Sequence, residues 1–177
     1  MSDEDLSYEP RQGSRHLTHR DADWSGLRIL VAGLGVSGFA AADALSERGA
    51  IVSALSADDT PAIGERARIL EILDVDVRLG PEHLVDVPEG VELVVTSPGF
   101  HPDHPLLVAA AARGIPVWGE VELAWRMRAQ SGAAPWITIT ATTGKSTTVP
   151  HLACIRPADG LRADTPATVA PPPPTGV

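Results

Sequence analysis

The sequence predicts an α/β fold: a parallel sheet with helices on both faces. Three observations carry this. Short runs rich in Val, Ile and Leu alternate with segments of helical length, and a continuous apolar run is what a strand buried on both faces needs. Two of the helical segments stop at a glycine, Gly49 and Gly114, the residue that tolerates the left-handed conformation past a helix end. A glycine-rich turn, Gly33-Leu34-Gly35-Val36-Ser37-Gly38, lies between the first apolar run and the first helix. Strand–helix alternation gives parallel neighbours joined by right-handed crossovers.

The elements are expected in this order. Residues 1–22 are polar and aperiodic. Two readings stay open for them, a disordered leader and a start codon assigned too far upstream. No apolar run follows their charges, so they do not form a secretory signal. Order is expected from near Trp24. Residues 27–32 (LRILVA) form a strand, the glycine turn follows, and 39–48 form a helix. A strand at 50–55, a helix at 63–73 and a short strand at 75–79 come next. The run 91–96 (VELVVT) is a buried strand closed by Ser97-Pro98-Gly99. A helix at 106–113, a strand at 115–117 and a helix at 121–129 complete a Rossmann-like domain over 23–130. Residues 131–135 are a linker by composition, and 136–140 (WITIT) are β-rich enough to open a second domain, so that 131–149 is linker and domain start. From Pro150 the last 28 residues hold seven prolines, four of them consecutive at 171–174, and keep no period. This 150–177 tail is expected to be irregular.

Composition narrows the function. Among 177 residues the formal net charge is −9, which disfavours nucleic acid and anionic membrane surfaces as partners. A bound nucleotide remains compatible, because helix-start amides hold phosphate locally. Hydrophobic residues make up 44% and aromatic residues only 4%, so Ala, Val and Leu must fill the core. The single cysteine, Cys154, has no intrachain partner, and a reducing cytoplasm is the expected compartment. No apolar stretch reaches the roughly 18 residues a membrane-spanning helix needs. A soluble monomer is expected.

Three motifs carry chemistry. In the glycine turn, Gly33 permits the tight bend, Gly35 lets a ligand approach the backbone, and Gly38 lets helix and strand pack closely. Free amides at the helix start then face an anionic ligand. A purely structural turn is the competing reading. A nicotinamide site requires an acid at the end of the second strand, where this chain has Ser56. Asp58 and Asp59 follow, either to reach a ribose or to cap the loop. Second, Ser97, Pro98 and Gly99 close a strand at the carboxyl edge of the sheet, where ligands bind open α/β folds; a plain proline turn is the alternative. Third, Ala141-Thr142-Thr143-Gly144-Lys145-Ser146-Thr147-Thr148 follows the WITIT run. Gly-Lys-Ser after a strand is the core of a phosphate loop, with Lys145 toward the β- and γ-phosphates and Ser146 holding Mg²⁺ through its hydroxyl. Ile139 stands where the common loop has its first glycine, so a shorter loop is required. His101-Pro102-Asp103-His104 is read as a rigid loop rather than a metal site, Glu120 and Glu122 as acids offsetting a helix dipole, and Trp118, Trp125 and Trp136 as core or domain-junction packing.

The order of a Rossmann-like turn, Ser-Pro-Gly, then a phosphate loop resembles the Mur ligases. The stretch Thr96-Ser97-Pro98-Gly99-Phe100, followed by residues 114–124 (GIPVWGEVELA), is similar to the D-glutamate-adding branch of that family. The loop is similar to the family's short form T-G-T-N-G-K-[ST]-T, with Ala141 in place of a glycine and Thr143 in place of an asparagine. The resemblance covers residues 24–149. It implies a UDP-binding domain holding its ligand on Gly33, Gly35, Val36, Ser37, Gly38, Ser56, Ser97, Pro98 and Gly99. It also implies the start of a truncated P-loop ATPase domain binding ATP through Thr142, Thr143, Gly144, Lys145, Ser146, Thr147 and Thr148, with Mg²⁺ at Ser146. The implied reaction belongs to peptidoglycan synthesis, and so to cell wall biogenesis, cell shape and cell division. ATP phosphorylates the carboxylate of UDP-N-acetylmuramoyl-L-alanine, and D-glutamate displaces the phosphate to form an amide.

Pro150 falls five residues after Lys145, where the family continues a helix, and proline inside a helix costs about 3 kcal/mol. The rest of the family's central domain, with its further metal ligands and carbamylated lysine, has no counterpart here, nor has the D-glutamate site. The chain is therefore expected to be a fragment without turnover of its own, its tail a frameshifted or misassigned end. Two other classes compete: a non-catalytic module for UDP-sugar nucleotides, and an NAD(P)-dependent oxidoreductase.

Overall fold

A computed structural model describes residues 16–133, together with Trp136 and Thr143. The expected strand at 136–140 apart from Trp136, the phosphate loop apart from Thr143, the tail and residues 1–15 lie outside the described residues. The chain divides after Ala133 into two compact units, and the first contains every element below.

Among the described residues, five parallel strands form one sheet: β1 (Arg28–Ala32), β2 (Ile51–Ser56), β3 (Asp76–Leu79), β4 (Leu93–Thr96) and β5 (Val117–Gly119). Their order across the sheet is β3-β2-β1-β4-β5. The helices are α1 (Val36–Ser46), α2 (Pro61–Ile72), α3 (Pro105–Ala112) and α4 (Glu120–Arg126), with a 3-10 turn at Pro81–Leu84. The α/β fold and parallel sheet expected from the sequence are what the structure has.

The sheet is buried on both sides, which explains the continuous apolar runs. Ile29 and Val31 of β1, Val52 and Ala54 of β2, and Leu93 and Val95 of β4 face one core. Ala41, Ala42 and Leu45 of α1, Ile63 and Leu70 of α2 and Leu123 of α4 complete it. The alternate residues Leu30, Ala32, Leu55 and Val94 face the other core, against Leu84 of the 3-10 turn and Leu106 and Ala110 of α3. Neither face has to accommodate water, so alternation never shows in the sequence.

Several boundaries move, each for a local reason. Helix α1 starts at Val36 rather than residue 39, because Gly35 already serves as its N-cap and the glycine turn and helix start are one feature. Helix α2 starts at Pro61: Thr60 caps it, its Oγ1 accepting from the Ile63 amide at 3.4 Å, and proline at the first helical position lacks only an N–H that has no partner there. Strand β5 is Val117–Gly119 rather than 115–117, since Val94, Val95 and Thr96 pair with Val117, Trp118 and Gly119.

The leader expected at 1–22 is corrected over its described part, residues 16–22. Leu17 is 1% exposed and belongs to the first core. Arg126 Nη1 donates to the Leu17 carbonyl at 3.0 Å, and the Arg20 amide donates to the Arg128 carbonyl at 3.0 Å. Trp24 meets Trp118 edge-on at 6.4 Å between ring centroids, and the Arg126 guanidinium lies 4.3 Å from the Trp118 centroid. The segment from Leu17 thus covers the α1–α4 side of the sheet. One apolar residue among polar neighbours gave it no periodicity to read. Of the tryptophans assigned to packing, Trp118 is core, whereas Trp125 and Trp136 are 45% and 42% exposed.

Candidate functional site

Strand order decides where a ligand can enter. From β1 the chain runs outward through β2 and β3, then returns to the other side of β1 for β4 and β5. The crossovers leaving β1 and β4 therefore diverge, opening a crevice beyond the carboxyl ends of those two strands. Gly33 follows β1 and Ser97 follows β4.

A cleft of about 480 Å³ occupies this position. It is lined by Gly33, Gly35, Val36, Ser37, Ser56, Ser97, Pro98 and Gly99, all named from the sequence. Leu34, Ala57, Asp58, Ile63, Leu84, Phe100 and His104 line it too. Gly38 does not; it is buried against the turn. A methyl group at Gly38 would sit 1.7 Å from the Gly33 carbonyl oxygen, so this glycine serves helix–strand contact.

Each wall has a local cause. Gly33 has φ +95°, a region that side chains disfavour, and a Cβ there would meet Ser97 Oγ at 2.8 Å. The Gly33 amide donates to the Leu55 carbonyl at 2.7 Å, which ends the β1–β2 ladder and turns the chain. Ser97 Oγ donates to the Gly33 carbonyl at 3.2 Å, tying the end of β4 to the turn. Its proton is engaged there, leaving its lone pairs for a ligand, while its backbone N–H already donates to the Ala32 carbonyl at 3.0 Å and its carbonyl accepts from the Phe100 amide at 3.2 Å. The first bond of α1 runs from the Phe39 amide to the Gly35 carbonyl at 3.0 Å. The amides of Val36, Ser37 and Gly38 thus have no partner within the helix, as at any helix start, and the positive end of the dipole is there as well. A Cβ on Gly35 would meet nothing within 4 Å. This glycine leaves open space above the backbone.

Ser56 ends β2 at 4% exposed, and its Oγ accepts from the Asp58 amide at 3.3 Å. That bond brings Asp58 to the rim, while Asp59 is not on the lining. Opposite, His104 caps α3, its Nδ1 accepting from the Leu106 amide at 3.3 Å, which leaves Nε2 as the protonated nitrogen of the neutral ring. Phe100 packs edge-on to it at 4.8 Å. His101 is turned elsewhere, 3.3 Å from Asp103. Both carboxylate oxygens of Glu120 are buried without a hydrogen-bond partner among the described residues, so it is less simply a dipole acid than its position suggested. Of the phosphate-loop residues, Thr143 is described, and it is exposed.

The sequence missed Ile63 and Leu84, which carry no local signal and reach the cleft only through packing. His104 did have a signal: a capping residue directly before a proline at a helix start.

Comparison with known proteins adds three findings. The family model described as "Mur ligase MurD-like, N-terminal domain" matches residues 27–119. The UDP-N-acetylmuramoylalanine--D-glutamate ligase of Streptomyces avermitilis is 51% identical over 140 residues, covering 79% of this chain and 29% of the relative. That of Leifsonia xyli subsp. xyli is 48% identical over 159 residues, covering 82% and 30%. The chain therefore spans 29–30% of the length of these curated relatives. Among solved structures, a UDP-N-acetylmuramate-alanine ligase from Thermotoga maritima aligns at 22% identity with a TM-score of 0.46, covering 54% of this chain and 21% of that one.

Proposed function

Because the chain belongs to the MurD-like N-terminal domain family of the Mur ligases, we propose that its cleft binds the UDP part of UDP-N-acetylmuramoyl-L-alanine. One observation carries the reading: Gly33, Gly35, Val36, Ser37, Ser56, Ser97, Pro98 and Gly99 converge on one cleft at the strand-order switch. A diphosphate suits the helix-start amides of Val36 and Ser37, which supply donors and a positive dipole end without a formal charge. The apolar wall of Ile63, Leu84 and Phe100 suits the flat face of a base. Ser56 at the end of β2 disfavours a nicotinamide cofactor, whose ribose calls for an acid there.

In the whole ligase the bound precursor would be activated by ATP and Mg²⁺ and joined to D-glutamate, in the cytoplasm, as a step of peptidoglycan synthesis. Thr142 to Thr148, with Ser146 toward Mg²⁺, are the proposed ATP residues on sequence alone. Covering 29–30% of its relatives, this chain is proposed to bind the precursor without turning it over.

Calorimetric titration of the 177-residue chain with UDP-N-acetylmuramoyl-L-alanine, Mg-ATP and NADH tests this. Binding of the first is expected. UDP-ligand binding without ATP binding fits a non-catalytic module, and NADH binding without UDP-ligand binding defeats the proposal. Phosphate release that depends on D-glutamate would overturn the claim of no turnover.

A further inference from the structure

Among the described residues, the ionisable groups lining the cleft are Asp58 and His104, and no described lysine or arginine is on its wall. A nucleoside diphosphate brings two or more negative charges, and an exposed carboxylate at the rim opposes them. A cation reaches the site from behind. Arg66, on α2, donates from Nη1 to the Leu34 carbonyl at 3.1 Å, across 32 residues of sequence, and is partly buried in doing so. The Leu34 side chain is 1% exposed. Its peptide is thus held on one side by the core and on the other by the guanidinium. A trans peptide sets its N–H opposite its C=O, so the bond to Arg66 also fixes the direction of the Gly35 N–H. Engaging the Leu34 oxygen has a second effect: it turns the negative end of that peptide dipole toward a cation.

We propose that Arg66 is the positioning residue of the diphosphate subsite, orienting the Leu34–Gly35 peptide of the glycine turn and supplying a positive charge that the described residues of the cleft wall do not. This rests on the reading that the cleft takes a UDP group. Arg66 acts through the Leu34 carbonyl, and its effect must follow the charge of the ligand rather than the base.

The test is calorimetry of the full chain and its R66A, R66K and R66Q variants against uridine, UMP and UDP at two ionic strengths, with thermal unfolding alongside. Arg66→Ala is expected to weaken UDP about tenfold, the usual scale for losing one charge-assisted bond, and uridine less than twofold. Arg66→Lys is expected to restore part of the loss. Arg66→Gln keeps a donor for the Leu34 carbonyl without the charge, so it serves if the alanine variant melts early. It is expected to hold uridine normally and to flatten the salt dependence of UDP binding. Equal weakening of uridine and UDP in R66Q, or UDP affinity within twofold of the parent in both R66A and R66Q, overturns the proposal. If the unaltered chain does not bind UDP, the functional reading falls and this inference with it. UDP binding indifferent to Arg66 removes the inference alone.

Discussion

Gly38→Ala separates two physical expectations of opposite sign. Gly38 lies within α1, where alanine is favoured over glycine by about 1 kcal/mol. Helix propensity alone therefore predicts a stabilised protein. The structure predicts the reverse. An added Cβ would sit 1.7 Å from the Gly33 carbonyl oxygen and 2.9 Å from its carbon. Both are backbone atoms, with no rotamer to move aside. Relief requires α1 to retreat by more than 1 Å, roughly the shortfall from an ordinary carbon–oxygen contact, and that pulls Ala41, Ala42 and Leu45 off the sheet. Overpacking of this kind costs about 3 kcal/mol or more, and the propensity gain offsets about 1 kcal/mol of it. The expected net loss is about 2 kcal/mol or more, a large share of the roughly 5–15 kcal/mol that holds a domain together. At about 3–5 °C per kcal/mol for a domain of this size, the melting temperature should fall by about 6–10 °C. Urea unfolding followed by tryptophan fluorescence reads this directly, since Trp24 and Trp118 are 1% and 7% exposed. A Gly38→Ala protein as stable as its parent, or more so, would refute the close-packing argument and the geometry assigned to the turn.

Three further outcomes are expected. Gly35→Ala should cost less than about 1 kcal/mol of stability, as a cap substitution, because its Cβ meets nothing within 4 Å. The methyl group projects over the turn, and UDP titration should show binding weakened about fivefold or more. Gly64→Ala, in α2 with open space at its Cβ, should stabilise the domain by about 0.5–1 kcal/mol in urea unfolding. Leu17→Ala should lower stability by about 2–4 kcal/mol, as for other buried leucines. Loss of less than about 0.5 kcal/mol would return this segment to the status of a leader.

The sequence by itself determined the sheet class, the elements and most of the cleft. Buried parallel strands must be apolar throughout, as in the runs before Gly33 and Ser97, and glycines must stand where backbone approaches backbone. Both requirements are local and leave a mark in the residues. The family was legible for the same reason: Ser97-Pro98-Gly99 and residues 114–124 are contiguous and retain their spacing. Tertiary structure alone decided what depends on distance across the chain. Strand order opened the cleft between β1 and β4, and packing brought Ile63, Leu84 and His104 to its wall. A hydrogen bond spanning 32 residues put Arg66 behind the glycine turn. Another spanning 109 residues fastened Leu17 to α4. A single leucine or arginine has no period, so nothing around it in sequence announces the partner it will meet. Gly38 shows the boundary between the two kinds of information. Its packing role was readable from its place in the motif, but only the structure, with the Gly33 carbonyl against it, took it off the lining of the cleft.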